Sequence, residues 1–261
     1  MSEIVKRKDE HIEIVLRGAA ARPARPSVFA GVRCEHNALP EIDLDAVDLT
    51  TTFFSRCLSA PLLVSSMTGG PEKAEALNQH IAEACGELGL AFGVGSQRIA
   101  LEGHGAAGFG RALRAAAPDV AILANFGAAQ LKTWNGAEMA ERAIDMIDAD
   151  ALVIHINPLQ EAVQAGGDTD WSGLLRRIEG VCRASPRPII VKEVGAGISG
   201  RIARSLVDAG VQGIDVAGLG GTNWAVVEAA RAQSPDQRAI GEAFHDWGIP
   251  TAEAITAVRH V

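Results

Sequence analysis

From residue 60 onward the chain repeats one grammar at a spacing of about 30 residues: a short β-branched run, a polar or Gly-rich turn, then an amphipathic stretch rich in Ala, Glu and Arg. A period of two giving way to a period of 3.6 is the signature of the βα unit. Strands are predicted at 60–66 (APLLVSS), 90–96 (LAFGVGS), 120–126 (VAILANF), 151–157 (ALVIHIN), 188–194 (PIIVKEV) and 211–217 (VQGIDVA). Helices are predicted at 72–88, 106–116, 137–147, 171–184, 199–209 and 251–259. The strand runs are almost continuously apolar, which requires cover on both faces and hence a parallel sheet under helices. A (β/α)8 barrel and an open doubly wound sheet both meet that requirement.

The placement of polar residues decides between them. Almost every strand delivers its unusual side chains at its C-terminal end: Ser66, Met67 and Thr68, then Ser96, Gln97 and Arg98, then Asn125, His155 with Asn157, Lys192 with Glu193, and the turn GLGGTN at 218–223 with Thr222. An open sheet needs this only at its switch point, whereas all strands of a barrel converge on one mouth. The expected fold is therefore α/β, a (β/α)8 TIM barrel truncated after about six βα units, because eight strands close such a barrel and six are visible. Residues 60–261 form the barrel in this reading. Residues 1–59 form an N-terminal extension packed on it, and the alternating stretch ALPEIDLDAVDLTTTFFSRCLSAP (38–61) suits a hairpin or strand capping its lower rim.

Composition narrows the partners. The formal charge of −8 over 261 residues opposes a phosphate backbone, so nucleic acid is not an expected partner, and an anionic ligand must be met by a local cationic cluster. The four cysteines, Cys34, Cys57, Cys85 and Cys182, lack CxxC spacing, which fits a reduced, cytoplasmic protein. No apolar run reaches the ~20 residues that span a bilayer, and the start MSEIVKRKDEHIEIVLRG is too charged for a signal peptide.

The segment ALVIHINPLQE (151–161) places Val153, His155 and Asn157 on one face, which in a barrel is the lumen. Buried without partners, His155 and Asn157 would cost about 1–3 kcal/mol each, so something polar is expected to fill the barrel top. Pro158 ends the strand and sets Gln160 and Glu161 over the mouth, where Glu161 suits an ordinary solvated acid or a hard oxygen ligand for Mg²⁺. Lys192, inside the apolar run IIVKEVG, needs a negative partner, and a direct pairing with Glu193 is awkward because neighbouring strand residues face opposite ways. A Schiff base and a cation held against an anionic ring both remain open for it. The Gly-rich turns MTGG (67–70) and GLGGTN (218–223) allow close approach of backbone N–H groups to an anion or a flat ring. No GxGxxG follows a strand, which argues against a Rossmann dinucleotide site. The cluster KRKDEH (6–11) reads either as a solvated face or as a phosphate clamp in which Arg7 and Lys8 close over Arg98.

Taken together, the stretches RKDEHI (7–12), HNALPEIDLDAVDLTT (36–51), APLLVSSMTGG (60–70), VGSQR (94–98), ANFGAAQL (124–131), HINPLQE (155–161), GDTDWSG (167–173), VKEVGAGIS (191–199) and IDVAGLGGTNWA (214–225) resemble the type 2, FMN-dependent isopentenyl-diphosphate isomerases, collinearly from residue 7 to the end. The resemblance implies an FMN-containing barrel that interconverts isopentenyl and dimethylallyl diphosphate with Mg²⁺, its flavin reduced by NADPH. It implies FMN contacts at Ser66, Met67, Thr68, Ser96, Asn125, Lys192 and Thr222, and substrate contacts at Arg7, Lys8, Ser96, Gln97, Arg98 and Gln160. Glu161 falls on the metal position, His11, His155 and Asn157 are further substrate contacts, and Gln160, Lys192 and His155 are the catalytic candidates. Assembly as a homotetramer or homo-octamer is implied as well. Family members continue for about two further βα units, at the spacing seen here, and these carry a Gly-Gly-Ile-Arg loop for the FMN phosphate. Two other readings stand beside this one: a catalytically inactive barrel fragment, and an FMN barrel of the 2-hydroxy-acid oxidase kind.

Overall fold

The computed structural model describes residues 3–18, 29–66, 72–104 and 108–261. The chain opens with helix α1 (Glu3–Leu16) and a hairpin of β1 (Thr51–Phe53) and β2 (Arg56–Leu58). Six strands follow, β3 (Leu63–Val64), β4 (Ala91–Gly93), β5 (Ile122–Gly127), β6 (Ala151–His155), β7 (Ile189–Lys192) and β8 (Gly213–Asp215), all parallel and adjacent in chain order. The intervening helices are α2 (Glu72–Leu88), α3 (Arg98–Leu101), α4 (Arg111–Ala116), α5 (Gly136–Ile147), α6 (Pro158–Val163), α7 (Leu174–Ala184) and α8 (Gly200–Asp208), with α9 (Trp224–Arg231), α10 (Pro235–Ala243) and α11 (Thr251–Arg259) after the last strand.

The sheet is curled. Laid flat, its two edge strands would stand five spacings apart, about 24 Å. Instead the Ser65 hydroxyl, just past β3, donates to Asp215 Oδ2 at the end of β8 over 3.0 Å. The six strands thus form a half-barrel with its C-terminal ends drawn together, the α/β barrel architecture expected.

Two apolar layers hold it. The larger packs the helices on the outer face, with Phe92, Ile122, Phe126, Leu152, Ile154, Ile189 and Val191 against Ile144, Ile147, Ile178 and Leu206. The smaller lies on the inner face and joins Leu123, Ala151, Val153 and Ile190 with Phe53 and Phe54. Those two rings, 4.7 Å apart in a T-shaped arrangement, rise from the β1–β2 turn and close the N-terminal end of the half-barrel. Arg56 fastens the same hairpin, donating to Asp150 Oδ1 (2.8 Å) and to the Pro118 carbonyl (3.2 Å) below β6 and β5. The rim-capping hairpin is therefore present, but only in the second half of the stretch that predicts it. Residues 29–50 are exposed throughout, Leu39, Ile42, Leu44, Val47 and Leu49 included.

Most strands stop short of the predicted ends. Ser65, Val94, Asn157, Glu193 and Val216 lie beyond the last paired residues of their strands, where the loops that carry polar side chains begin. Helices over 72–88 and 251–259 stand as predicted. The helix predicted at 171–184 begins at Leu174, because Gly173 is left-handed (φ 71°) and cannot be a helical residue. The one predicted at 106–116 is a single longer turn over Arg111–Ala116. Helices α1, α3, α6, α9 and α10 were not predicted. Among the described residues no helix is long and apolar enough to cross a membrane.

Candidate functional site at the strand ends

The register of β5 to β8 sets one polar level. His155 pairs with Gly127 on one side and Lys192 on the other, and Lys192 pairs with Asp215. Period-two alternation puts Val153 and Ile190 beneath them in the inner apolar layer, so the level caps a dry floor. Gly127 is a steric requirement: a Cβ there would lie 2.4 Å from Gln130 Oε1 and 2.9 Å from His155 Nε2. Space left by that hydrogen lets the imidazole lean over Asn125, whose Oδ1 is 2.9 Å from His155 Nδ1. Asn125 Nδ2 donates to the Val94 carbonyl (3.1 Å), which fixes the amide with its oxygen toward the ring. Nδ1 is therefore the protonated nitrogen, and Nε2 keeps a free lone pair. Burial, with Lys192 and Lys8 nearby, pushes the His155 pKa down to about 3, so the ring is neutral at working pH.

Lys192 is buried (3% exposed) and donates to the Glu193 backbone carbonyl over 2.8 Å, not to its carboxylate. Burial lowers its pKa from the ordinary lysine value, against the opposing pull of Asp215 and Glu193. The Glu193 carboxylate turns instead to the loop N–H groups of Val194 and Gly195, so no direct Lys192–Glu193 side-chain pair forms, as alternation predicts.

Above this level lies a cavity of about 290 Å³. Its floor includes Ser66, Ser96, Asn125, His155 and Lys192, its walls Asn157, Gln160, Glu161, Arg98 and Trp224, and its roof Arg7, Lys8 and His11 of α1. Lys8 Nζ reaches the Ser96 carbonyl (3.0 Å) and has no carboxylate partner among the described residues. Burial first, then Arg7 and Arg98, brings its pKa down to about 7. A desolvated lysine set beside two arginines, with no carboxylate to balance it among the described residues, makes a site for an anion.

Helix α6 supplies the opposite wall. Asn157 Nδ2 donates to Gln160 Oε1 (3.1 Å) and Glu161 Oε1 (3.0 Å). Glu161 Oε2 accepts from Gln164 (3.2 Å) and from the Asp168 backbone N–H (2.8 Å). Gln160 Nε2 donates in turn to Glu228 Oε1 (3.0 Å), which also meets His11 Nε2 at 2.9 Å, while Arg231 holds Glu228 Oε2 at 2.6 Å. Burial works to raise the Glu228 pKa, but His11, Gln160 and Arg231 outweigh it and keep the carboxylate ionised. Arg231 also binds Glu10 (2.9 Å), and His11 stacks edge-on to Trp224 with centroids 5.0 Å apart, so α9 clasps α1 over the cavity.

Of the residues singled out from sequence, Arg7, Lys8, His11, Ser66, Ser96, Arg98, Asn125, His155, Asn157, Gln160, Glu161 and Lys192 line this one space. Gln97 does not. It is fully buried, its Nε2 donating to the Ala143 carbonyl (3.0 Å) and its Oε1 accepting from Asn125 N–H (2.9 Å), so it ties the strand end to α5 and faces away from the cavity. Thr222 also stands off the cavity lining; its carbonyl packs where a Cβ on Gly195 would sit, at 2.9 Å. Met67, Thr68 and the MTGG turn lie outside the described residues. The sequence reading missed Gln130, Gln164, Trp224 and Glu228. Asn223 was the available signal for two of them: its Oδ1 caps α9 through Ala225 N–H (2.9 Å), announcing a helix that presents Trp224 and Glu228.

The set fits the groups the resemblance implies. Trp224 Nε1 is a buried donor with no partner among the described residues, as expected where a ligand acceptor belongs. Among the described residues no cluster of three or more His, Cys, Asp or Glu could hold a metal alone. Glu161, with Oε1 accepting a single bond, suits an ion completed by phosphate oxygens.

No family model matches the chain. In structure it is similar to a mandelate oxidase variant solved with a trifluoro-dihydroxypropanoic acid, at TM-score 0.48 and 14% identity over 86% of this chain and 72% of the other. In sequence it is 57% identical to isopentenyl-diphosphate delta-isomerase of Stutzerimonas stutzeri (strain A1501) over 256 residues, 98% of this chain and 74% of that one. The enzymes of the same name from Xanthobacter autotrophicus and Synechocystis sp. are 55% and 47% identical, over 97% and 99% of this chain and 74% of theirs. With identities of that size along nearly its whole length, the chain belongs to the isopentenyl-diphosphate delta-isomerase family.

Proposed function

We propose that the chain interconverts isopentenyl and dimethylallyl diphosphate, with reduced FMN in the cavity and Mg²⁺ at Glu161. The observation that carries this reading is the two-sided cavity: Arg7 and Lys8 of the roof and Arg98 of the wall facing a floor where Lys192 is desolvated and, among the described residues, lacks a carboxylate bond. The roof is suited to a diphosphate. The floor is suited to a flat ring that carries negative charge when reduced.

Arg7 and Lys8 would bind the diphosphate from α1, and Arg98, already oriented by Glu102 (3.0 Å) and Asp168 (3.6 Å), from the wall. Glu161 would hold Mg²⁺, which would supply positive charge against the diphosphate. Gln160, pinned at both ends of its amide by Asn157 and Glu228, would orient the allylic carbons. The neutral Nε2 of His155 offers an acceptor, and Ser66, Ser96, Asn125 and Trp224, which line the cavity, would border the ring. Lys192 would hold a positive charge against the ring and favour its anionic reduced form. The allylic shift adds a proton at the terminal methylene and removes one from C2, leaving no net redox change. Bound reduced FMN supplies the acid/base group at N5, and NADPH the electrons that reduce it. Excluding water is the task of α1, whose Ile12, Val15 and Leu16 line the roof.

The test is reconstitution. The purified protein is incubated with FMN, reduced anaerobically with NADPH and given isopentenyl diphosphate and Mg²⁺. Formation of dimethylallyl diphosphate supports the reading; a protein that stays colourless with added FMN and leaves the substrate unchanged overturns it and favours an inactive barrel fragment.

A further inference from the structure

The mechanism above leaves a buried acid at the strand ends unused. Glu193, only 4% exposed, directs Oε2 at the loop that follows β7, where the backbone N–H groups of Val194 (2.7 Å), Gly195 (2.7 Å), Ala196 and Gly197 (3.2 Å) all donate to it. Successive amides turned inward on one point form the concave nest that elsewhere binds a phosphate or another anion. Here the chain fills its own nest with a side chain. Burial nevertheless raises the Glu193 pKa above the ordinary carboxylate value, against the four backbone bonds, so the arrangement costs solvation and calls for a reason.

The loop so gathered is a junction. Val194 lines the main cavity. Gly195 (φ 141°) lies against the Thr222 carbonyl, closer than a Cβ would allow, and Gly197 (φ 86°) lies as tightly against Ile249. The Ala196 carbonyl accepts from Ile249 N–H over 2.9 Å. Three segments of chain therefore meet on the four residues that Glu193 holds. Its own backbone is fixed as well, its N–H donating to the Asp215 carbonyl at 3.2 Å and its carbonyl accepting from Lys192 Nζ at 2.8 Å.

We propose that Glu193 is a positioning residue for the reaction: its carboxylate freezes the loop after β7, and its carbonyl, held still in consequence, sets where the Lys192 ammonium stands beneath the cavity. This rests on the functional reading above for the value of that position, but the geometry it asserts belongs to the chain alone. A ring stationed by shape needs a cation within a fraction of an ångström of one edge, and a lysine on four rotatable bonds does not stay there without an anchor.

The experiment compares Glu193→Gln and Glu193→Ala with the unaltered chain. Gln keeps an acceptor oxygen at the same reach and is the rescuing variant; Ala removes it. The first readout needs no flavin: the titration of Lys192, followed by NMR after reductive ¹³C-methylation, with Lys192→Arg to assign the signal. Both variants lose the upward pull of the Glu193 charge, so they are compared with each other: the midpoint is expected well below that of an exposed lysine in Glu193→Gln, and at least one pH unit higher in Glu193→Ala as water enters. The second readout is kinetic, with kcat for isopentenyl diphosphate expected to fall 10- to 100-fold in Glu193→Ala and KM to stay within about twofold, because the diphosphate is held from α1 and α6. If Glu193→Ala does not fold, Glu193→Asp takes its place, since a carboxylate one methylene shorter cannot span all four amides. A Lys192 midpoint in folded Glu193→Ala, or in Glu193→Asp in its place, that equals that of Glu193→Gln overturns the proposal, as does a raised KM with kcat intact. Should the unaltered chain neither bind flavin nor isomerise, the functional reading fails while the NMR comparison still decides whether Glu193 positions Lys192.

Discussion

At the scale of the residue, two side chains have charge states set by where they are buried. Lys8, brought down to about 7, is half neutral near pH 7. A diphosphate selects the charged form, so affinity is expected to fall by up to tenfold for each pH unit above 7, and Lys8→Arg, charged throughout, to flatten that slope. Isothermal titration with inorganic diphosphate from pH 6 to 9 checks it. His155 titrates near 3 when folded and near 6.5 when unfolded. Between those values only the unfolded chain takes up the proton, so this group costs stability as pH falls from 6.5 to 3, of order 4 kcal/mol in total. His155→Leu is expected to be more acid-resistant than the unaltered chain over that window, measured by urea denaturation at pH 7 and 4.5. Both residues could be found from sequence, one as a basic cluster and one as a polar intrusion at a strand end. Gln97 could not be placed, because a residue at a strand-to-helix bend points by the bend's angle, which alternation does not give. Glu228 was hidden for another reason: an acid in the Ala- and Val-rich α9 reads as solvated until α1 is seen lying over it.

Helix α1 shows what an element owes to its surroundings. Its sequence, charged through residues 6–11, carries no strong helical pattern, and it is held in place by Arg231–Glu10, His11–Glu228 and Lys8–Ser96. Removing the clasp should loosen the roof before it harms the floor. Arg231→Met is expected to raise KM for the diphosphate substrate about tenfold with a smaller change in kcat, and to make the chain cleavable by trypsin within residues 6–17, read by mass spectrometry. The same logic explains which elements were legible. Helices α2 and α11, long and periodic, could be bounded from sequence, whereas α6 is a short turn after Pro158 whose form depends on Asn157, Gln164 and Asp168 closing around Glu161.

For the whole molecule, stability and chemistry sit at opposite ends of the half-barrel. At the N-terminal end Asp150 accepts from Arg56, from Arg114 at 2.5 Å and from the Ile122 N–H at 3.0 Å. Burial tends to raise its pKa, yet these bonds prevail and hold it below the usual carboxylate range. Its stabilisation is present above the unfolded value near 3.9 and is lost as pH drops through the folded one. Asp150→Ala, which takes the carboxylate from Arg56 and Arg114 but leaves Arg114 on the backbone carbonyls of Ala117, Val120 and Asp148, is expected to cost about 1–3 kcal/mol, lowering Tm by about 5 °C in calorimetry while leaving diphosphate affinity unchanged. The ribbon bearing Leu39, Ile42, Leu44, Val47 and Leu49, with Leu62 near the edge strand, is an exposed apolar surface. Light scattering tests whether a second copy of the chain covers it: the expected outcome is a mass that is a multiple of the protomer's, falling when Leu44 and Leu49 are both changed to Asp. What the sequence determined by itself was the order of strands and helices, the parallel sheet and the convergence of polar residues at the strand ends, because periodicity and alternation act over a few neighbouring residues. What the tertiary structure alone decided was the curl of the sheet, the seat of α1 and the destination of each amide, because these rest on contacts 150, 217 and 88 residues apart in sequence, such as Ser65–Asp215, His11–Glu228 and Lys8–Ser96, whose partners no local pattern can name.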